Sequence, residues 1–204
     1  MNETATPMNN DDPLQIMLIR AGATEYERDG IVQGTLDVPL CDDGRREVTQ
    51  VVDEIQQSQL DALYTTPCQA AQETGEAIGK AFDLKVRQLD AMTNLDYGLW
   101  QGMRIEDVKT KHPKVYKQWK DQPETVCPPQ GETVAIVRAR VAKVLLKLKK
   151  RHKTGVIGLV APEPLASVVR HVLRNDELHN LWGANGGARW ECIGVPNGVR
   201  SRGG

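Results

Sequence analysis

The chain has 204 residues, which is enough for one substantial hydrophobic core. Its 40% of hydrophobic and 26% of charged residues are ordinary values for a globular domain and argue against disorder. A formal net charge of -1 gives no overall field that attracts nucleic acid or acidic membranes, and 4% of aromatic residues do not suggest a base-stacking surface. We therefore expect neither nucleic acid nor a membrane as a partner.

Two further features of the composition bear on location and cofactors. The apolar runs are far shorter than the roughly 20 residues that a membrane-spanning helix needs, and the polar N-terminal stretch lacks the apolar segment of a secretory signal. We therefore predict a cytoplasmic protein. The four cysteines are widely separated and form no Cys-x-x-Cys pair, so we predict free thiols, no metal site and no cofactor.

Hydrophobic periodicity predicts strands that alternate with helices along most of the chain. The predicted strands are 14–19, 60–64, 84–89, 156–161 and 189–193. The predicted helices are 44–58, 67–82, 105–111, 114–120, 133–152 and 164–173. Asp42 or Asp43 is expected to cap the first helix and Thr66 the second, with Pro67 at its first position. The alternation predicts an α/β three-layer sandwich, in which a mostly parallel central sheet is flanked by helices.

The same pattern predicts a single domain over residues 14–195. The polar stretch 1–13 is expected to be a flexible arm, and the stretch 196–204 a flexible tail. Residues 91–130 contain glycine and proline breaks and lack a strand pattern. We predict that they form an inserted helical and loop segment over the cleft rather than an element of the core.

The stretch 18–40 carries most of the functional information. An apolar run ends at Arg20 and is followed by the small-residue turn Ala21-Gly22-Ala23-Thr24. This pattern is typical of a buried strand that is followed by a loop at the ligand-binding edge of a sheet. The stretch closely resembles the opening motif of the phosphoglycerate-mutase-like histidine phosphatases, Leu-x-Arg-His-Gly-x-Thr followed by Gln-Gly-x-x-Asp-x-Pro-Leu. The resemblance covers about residues 16–193 and implies their fold, with Arg20 and Thr24 in the cleft.

The resemblance also implies where catalytic residues would stand, and most of these positions hold other residue types. The nucleophilic His corresponds to Ala21, the second phosphate-binding Arg to Ala70, the proton-donating Glu to Asn94, and the second catalytic His to Pro162. Glu27 stands where the family commonly has a phosphate-contacting Asn, and Glu163 replaces a glycine. A methyl group cannot carry a phosphoryl group, and an amide gives no proton at neutral pH.

The remaining charged residues suggest a cleft that is neutral or acidic instead of cationic. Arg20 could still contact an anion, but we favour an internal ion pair between Arg20 and either Glu27 or Glu163. Alternatively, Glu27 and Glu163 could approach each other and bind a cation or an amine.

Two other side chains could supply chemistry near the cleft. Cys68 lies near a helix N-terminus, where the pKa of a thiol can fall, and His171 lies on the helix that follows Pro162. Without a partner base, we expect Cys68 to be an inert thiol. We expect His171 to be a packing or surface residue.

The leading functional hypothesis is therefore a catalytically inactive relative that acts as a binding, scaffold or regulatory protein. Its partner is an unknown protein or small molecule, and a homodimer is possible. One alternative is an enzyme that uses Glu27, Glu163, Asn94 or Cys68 by a mechanism without phosphohistidine. Another alternative is weak residual phosphatase or mutase activity.

Overall fold

A computed structural model describes residues 13–176, 178, 181–182 and 189–196. It contains one five-stranded sheet, whose strands are β1 (Gln15–Arg20), β2 (Ala62–Thr65), β3 (Val86–Gln88), β4 (Val156–Ala161) and β5 (Trp190–Gly194). The strand order is β3-β2-β4-β1-β5, and only the β1–β5 pairing is antiparallel among these. The predicted mostly parallel sheet is thereby confirmed.

Helices cover both faces of the sheet. They are α1 (Glu25–Arg28), α2 (Asp42–Ile55), α3 (Gln69–Phe82), α4 (Ile105–Lys111), α5 (Pro113–Asp121), α6 (Val134–Arg151) and α7 (Leu165–Arg174). Two 3₁₀ turns occupy Gly98–Trp100 and Pro123–Thr125. In the described ranges, no helix combines the length and the apolar character that crossing a membrane requires.

The alternation of side chains along β1 explains the three layers. Ile16 and Leu18 point into the larger core, which α6 and α7 cover, whereas Met17 and Ile19 point into the smaller core under α2 and α3. All four side chains are at most 2% exposed. A strand that is buried on both faces is typical of a parallel sheet between two helical layers.

The segment 91–130 differs from the prediction, because part of it belongs to the larger core. Its buried members include Met92, Leu95, Tyr97, Trp100 and Trp119. The ring centroids of Trp100 and Trp119 are 5.8 Å apart in an edge-to-face arrangement. The large aromatic side chains of this segment thus fill space beside the sheet, although the backbone around them forms only short helices and turns.

The helix caps also differ from the prediction. Cys41 caps α2 by accepting a hydrogen bond from the Gly44 backbone N–H (3.5 Å), and Asp42 lies inside the first turn with Asp43. Cys68, not Thr66, is the N-cap residue of α3. The Thr66 N–H donates to the Val160 carbonyl oxygen (3.2 Å), so the chain remains paired with β4 beyond β2 and the helix starts later.

Both ends of the predicted domain pair with the rest of the fold. Pro13 forms an isolated bridge with Thr154, and the Val195 N–H donates to the Leu14 carbonyl oxygen (2.9 Å). The remainder of the predicted arm (1–12) and most of the predicted tail (197–204) lie outside the described residues.

Candidate functional site

The carboxyl ends of the parallel strands bring the predicted site residues to one edge of the sheet. Arg20 is opposite Ala161 in the pairing of β1 with β4, and the Ala21 N–H donates to the Ala161 carbonyl oxygen (2.9 Å). Pro162 follows directly and is buried. Ala21 and Pro162 therefore mark the ends of neighbouring strands, as the sequence predicts.

The turn after β1 is clamped between α2 and α3. The Gly22 N–H donates to the Thr74 hydroxyl (3.1 Å), and the Ala23 N–H donates to Glu47 Oε2 (3.0 Å). A Cβ atom on Gly44 would lie 2.0 Å from the Ala23 carbonyl oxygen, so α2 can approach the turn this closely only with glycine at that position.

Arg20 and Ala21 line a small cavity of about 10 Å³ between this turn and α2, room for about one water molecule. Arg20 Nη2 lies 3.7 Å from Glu47 Oε2. The predicted ion pair of Arg20 with Glu27 or Glu163 is therefore wrong. Glu47 is the partner because α2 places it one turn after Gly44, directly beside the turn.

Thr24 holds the start of α1 instead of facing a ligand. Its side chain is 2% exposed and donates to Gln33 Oε1 (2.6 Å) while accepting from the Glu27 N–H (3.2 Å). Glu27 Oε2 in turn accepts a hydrogen bond from the Thr24 N–H (3.2 Å). The two residues form a reciprocal capping box, a local motif that sequence analysis missed.

A second cavity, of about 60 Å³, contains both predicted glutamates. Its lining residues are Glu27, Gly30, Ile31, Val32, Gln33, Gly34, Tyr97, Ile105, Glu163, Pro164, Leu181 and Trp182. The approach of Glu27 and Glu163 agrees with one of the sequence alternatives. The sequence-predicted cleft is thus divided into one cavity beside Arg20 and another beside the glutamates.

The electrostatics of the larger cavity perturb Glu27. Burial, which has the largest effect, and the nearby carboxylates of Glu163 and Glu47 together raise its pKa from the ordinary value of 4.5 to about 7. The Thr24 N–H and the Arg20 guanidinium act in the opposite direction. Glu27 therefore changes its protonation state much closer to neutral pH than an ordinary glutamate does.

Asn94 is buried between the loops, and its amide is fully engaged. Its Nδ2 donates to the carbonyl oxygens of Gly34 (3.0 Å) and Glu163 (3.0 Å), and its Oδ1 accepts from the N–H groups of Leu95 (2.9 Å) and Leu165 (3.2 Å). These contacts use both donors and both acceptor positions of an amide. Asn94 thus links Gly34 and Glu163, two residues that line the larger cavity.

The loop after β4 is held by α7. The Pro162 carbonyl oxygen accepts from the Ala166 N–H (2.9 Å). Glu163 Oε2 accepts from the Ser167 N–H (3.2 Å) and from the Ser167 hydroxyl (2.7 Å). These bonds fix the orientation of the Glu163 side chain at the N-terminal end of α7.

The remaining candidates contribute little to either cavity. Ala70 is 1% exposed and packs in the smaller core. Burial raises the pKa of the Cys68 thiol, so the fall considered for a helix N-terminus is wrong. His171 Nδ1 lies 3.9 Å from Asp176 Oδ1, and His152 Nε2 lies 2.8 Å from the Tyr64 hydroxyl. Neither histidine lines a described cavity, and His179 lies outside the described residues.

Sequence reasoning missed the aromatic wall and Glu47. Tyr97 and Trp182 line the larger cavity, with ring centroids 6.3 Å apart. Trp182 comes from a stretch without a recognisable motif, whereas Tyr97 precedes the Gly98-x-Trp100 pattern. Among the described residues, no group of three or more His, Cys, Asp or Glu side chains is arranged to hold a metal ion.

Comparison with known proteins indicates one family for this chain. The model of the "Histidine phosphatase superfamily (branch 1)" matches residues 16–187. Phosphoserine phosphatase 1 of Hydrogenobacter thermophilus is 28% identical over 169 residues, which are 83% of this chain and 80% of that protein.

Solved structures agree with the fold. Bacillus stearothermophilus YhfR superimposes with a TM-score of 0.75 at 21% identity, over 83% of this chain and 84% of its own. A histidine-to-alanine mutant of phosphoserine phosphatase from Entamoeba histolytica, solved in complex with phosphoserine, gives a TM-score of 0.68 at 26% identity, over 82% of this chain and 87% of its own.

Proposed function

The chain belongs to the histidine phosphatase superfamily, and on that premise we propose that it is a catalytically inactive member that works as a binding, scaffold or regulatory protein. The observation that carries this proposal is the chemistry of the side chains at the positions that resemble catalytic ones. The positions that resemble catalytic ones hold Ala21, Ala70, Asn94 and Pro162. Their methyl, ring-carbon and amide groups provide neither a nucleophile nor a proton donor at neutral pH.

The distribution of charge supports the proposal. Arg20 is engaged by Glu47, and the larger cavity presents Glu27 and Glu163. One unit charge about 4 Å from a phosphate is worth about 4 kcal/mol at an effective dielectric constant of 20. A single reversal of charge would therefore weaken phosphate binding by a factor of several hundred.

The relative from Entamoeba histolytica explains why the proposal needs the charges as well as Ala21. That protein was crystallised as a histidine-to-alanine mutant in complex with phosphoserine. In that protein, the loss of one histidine is therefore compatible with binding of a phosphate ester. For this chain, the proposal therefore depends on Ala21, on Ala70 at the position that resembles a phosphate-binding arginine, and on the two glutamates in the larger cavity.

A second candidate function rests on the pKa of Glu27. A carboxyl group with a pKa of about 7 is suited to general acid–base catalysis at neutral pH. An enzyme that acts without phosphohistidine would use Glu27 as the acid or base in the larger cavity. Glu27→Gln would then abolish its turnover, whereas binding without catalysis has no turnover to lose.

The test is hydrolysis of an aryl phosphate and of phosphoserine by the native chain, beside the variant Ala21→His, Ala70→Arg, Asn94→Glu, Pro162→His. We expect no release of phosphate by the native chain above the buffer rate. Turnover comparable to that of an active relative would overturn the proposal, and slow turnover would indicate residual phosphatase activity.

The restored variant needs a control for folding, because all four substituted positions are buried. Circular dichroism and thermal unfolding of the variant report whether the core survives. The smaller variant Ala21→His, Pro162→His leaves Ala70 and Asn94 unchanged and therefore alters two buried positions instead of four. Activity in either folded variant would show that only catalytic groups had been lost.

A further inference from the structure

The larger cavity has the size of a small functional group. Its volume is about 60 Å³, and one water-sized position needs about 10–15 Å³. The cavity therefore has room for about four to six non-hydrogen atoms. A guanidinium group or a short alkylammonium group is within this size.

The walls of the cavity are mostly apolar and aromatic. Ile31, Val32 and Ile105 line it together with Tyr97 and Trp182. The Tyr97 hydroxyl donates to the Leu181 carbonyl oxygen, and Trp182 Nε1 donates to the Tyr116 carbonyl oxygen (3.1 Å), so both rings are fixed. Such walls exclude water and strengthen an electrostatic contact inside the cavity.

The two carboxylates give the cavity its polarity. Oε2 of Glu27 accepts from the Thr24 N–H, and Oε2 of Glu163 accepts from Ser167. Within the described ranges, Oε1 of neither glutamate accepts a hydrogen bond, and no Lys or Arg lines the cavity. Each carboxylate is thus held by one oxygen and retains a second oxygen for a donor.

We propose that this cavity binds the alkylguanidinium or alkylammonium group of a ligand, with Glu27 and Glu163 as the paired acceptors. The proposal rests on the proposed function, because a cavity that favours cations replaces one that favours phosphate. The guanidinium fork matches carboxylate geometry, and the aliphatic part of the ligand would pack on the apolar wall.

The charged groups around Glu27 predict how binding depends on pH. Arg20 comes from β1, Glu47 from α2 and Glu163 from the loop after β4, and the Thr24 N–H contacts the carboxylate directly. Burial and the two neighbouring carboxylates favour the protonated form of Glu27. A bound cation favours the ionised form, so its affinity rises as the pH increases through 7.

The test uses methylguanidinium and its neutral, similarly shaped counterpart methylurea, with calorimetric titration of the full chain at pH 8 and pH 5.5. We expect saturable binding of methylguanidinium and at least a tenfold lower affinity at pH 5.5. We expect no binding of methylurea. Equal affinity for methylguanidinium and methylurea would overturn the proposal. Methylammonium is titrated as a second cation at pH 8, and the absence of binding of both cations would also overturn it.

Variants place the binding in this cavity. Glu27→Gln and Glu163→Gln should each weaken methylguanidinium binding at least tenfold, and glutamine at 27 still satisfies the capping box. Glu25→Gln is the matched control, because Glu25 is exposed on the same short helix and pairs with Arg28. Loss of binding in the control alone, or equal loss in all three variants, would overturn the assignment.

A second comparison distinguishes a free ligand from the side chain of a protein partner. A blocked Gly-Arg-Gly peptide is titrated beside blocked Gly-citrulline-Gly. Tighter binding of the arginine peptide than of methylguanidinium indicates a protein side chain, and weaker binding indicates a free small molecule. Phosphate release is measured separately. Phosphatase activity without cation binding would contradict both the proposed function and the cation site, whereas the absence of both activity and cation binding would contradict only the cation site.

Discussion

The two cavities beside the turn after β1 have opposite characters. The smaller cavity, lined by Arg20 and Ala21, is nearly filled and has its cation paired with Glu47. The larger cavity, lined by Glu27 and Glu163, is open to a group of several atoms and has an excess of carboxylates. Residues that resemble parts of one phosphate site are therefore distributed over two environments.

This difference separates the contacts that hold the turn after β1 from the groups that set the character of the larger cavity. The backbone contacts of Gly22 and Ala23 with α2 and α3 depend on small residues and on buried hydrogen bonds. The character of the larger cavity depends on Glu27 and Glu163, which the framework tolerates because local hydrogen bonds hold each of them.

The largest effect is expected from Gly44→Ala, which should displace the turn that lines the smaller cavity. Its methyl group would collide with the Ala23 backbone, which cannot move without shifting the turn. Overpacking of this kind costs about 3 kcal/mol or more in the free energy of unfolding, measured by urea denaturation. Gly194→Ala is the control, because a Cβ atom there meets nothing within 4 Å. An equal loss in both variants would contradict this explanation.

Asn94→Asp should loosen the link between Gly34 and Glu163, which line the larger cavity. At pH 8 a carboxylate would face the carbonyl oxygens of Gly34 and Glu163, to which the amide now donates. The expected cost is about 3 kcal/mol, since two hydrogen bonds are lost and a charge is buried. Protonation allows one donation, so part of the stability should return at pH 5. A loss that does not depend on pH would argue against a buried charge as its cause.

Glu27→Gln should stabilise the folded state above neutral pH. The pKa of Glu27 is raised from 4.5 to about 7, so the folded protein binds more protons in that window and loses stability as the pH increases through it. After allowance for partial exposure, the variant should gain about 2 kcal/mol at pH 8 and little at pH 4. Thermal unfolding at both pH values measures the difference. A gain of equal size at pH 4 would show that charge is not its source.

The smallest effect is expected from Arg20→Gln, which tests whether the charge beside the smaller cavity also acts on Glu27 in the larger one. The partly buried pair with Glu47 should contribute about 1 kcal/mol to stability. Because Arg20 lowers the pKa of Glu27, its removal should raise that pKa further. Carbon-detected NMR titration of the carboxyl groups measures this shift, with Arg138→Gln as a distant control. An unchanged pKa would show that Arg20 acts on the smaller cavity alone.

Local patterns were sufficient to predict much of the fold. The continuous apolar run 156–161, bounded by Gly155 and Pro162, forms β4 over the predicted residues. The start of α3 could not be predicted, because the bond from Thr66 to Val160 joins residues distant in sequence. Likewise, the prediction that residues 91–130 do not belong to the core was wrong for Trp100 and Trp119, whose burial depends on tertiary packing.

The candidate site was predictable to a similar extent. The motif places Arg20, Ala21 and Pro162 at neighbouring strand ends, because parallel strands share one carboxyl edge. The partner of Arg20 could not be inferred, since it depends on how closely α2 approaches the turn at Gly44. The aromatic wall combines Tyr97 with Trp182, and no local pattern links residues so far apart in sequence.

The aromatic cluster also gives the protein an optical property. Trp100, Trp119 and Trp182 have ring centroids within 6.0 Å of one another, so their excited states are coupled, and Trp182 borders the larger cavity. Trp190 lies on β5 beside Glu54. In a Trp190→Phe variant, the tryptophan fluorescence would come from the cluster alone. Binding of a ligand in the cavity would then change this emission and could be followed without a label.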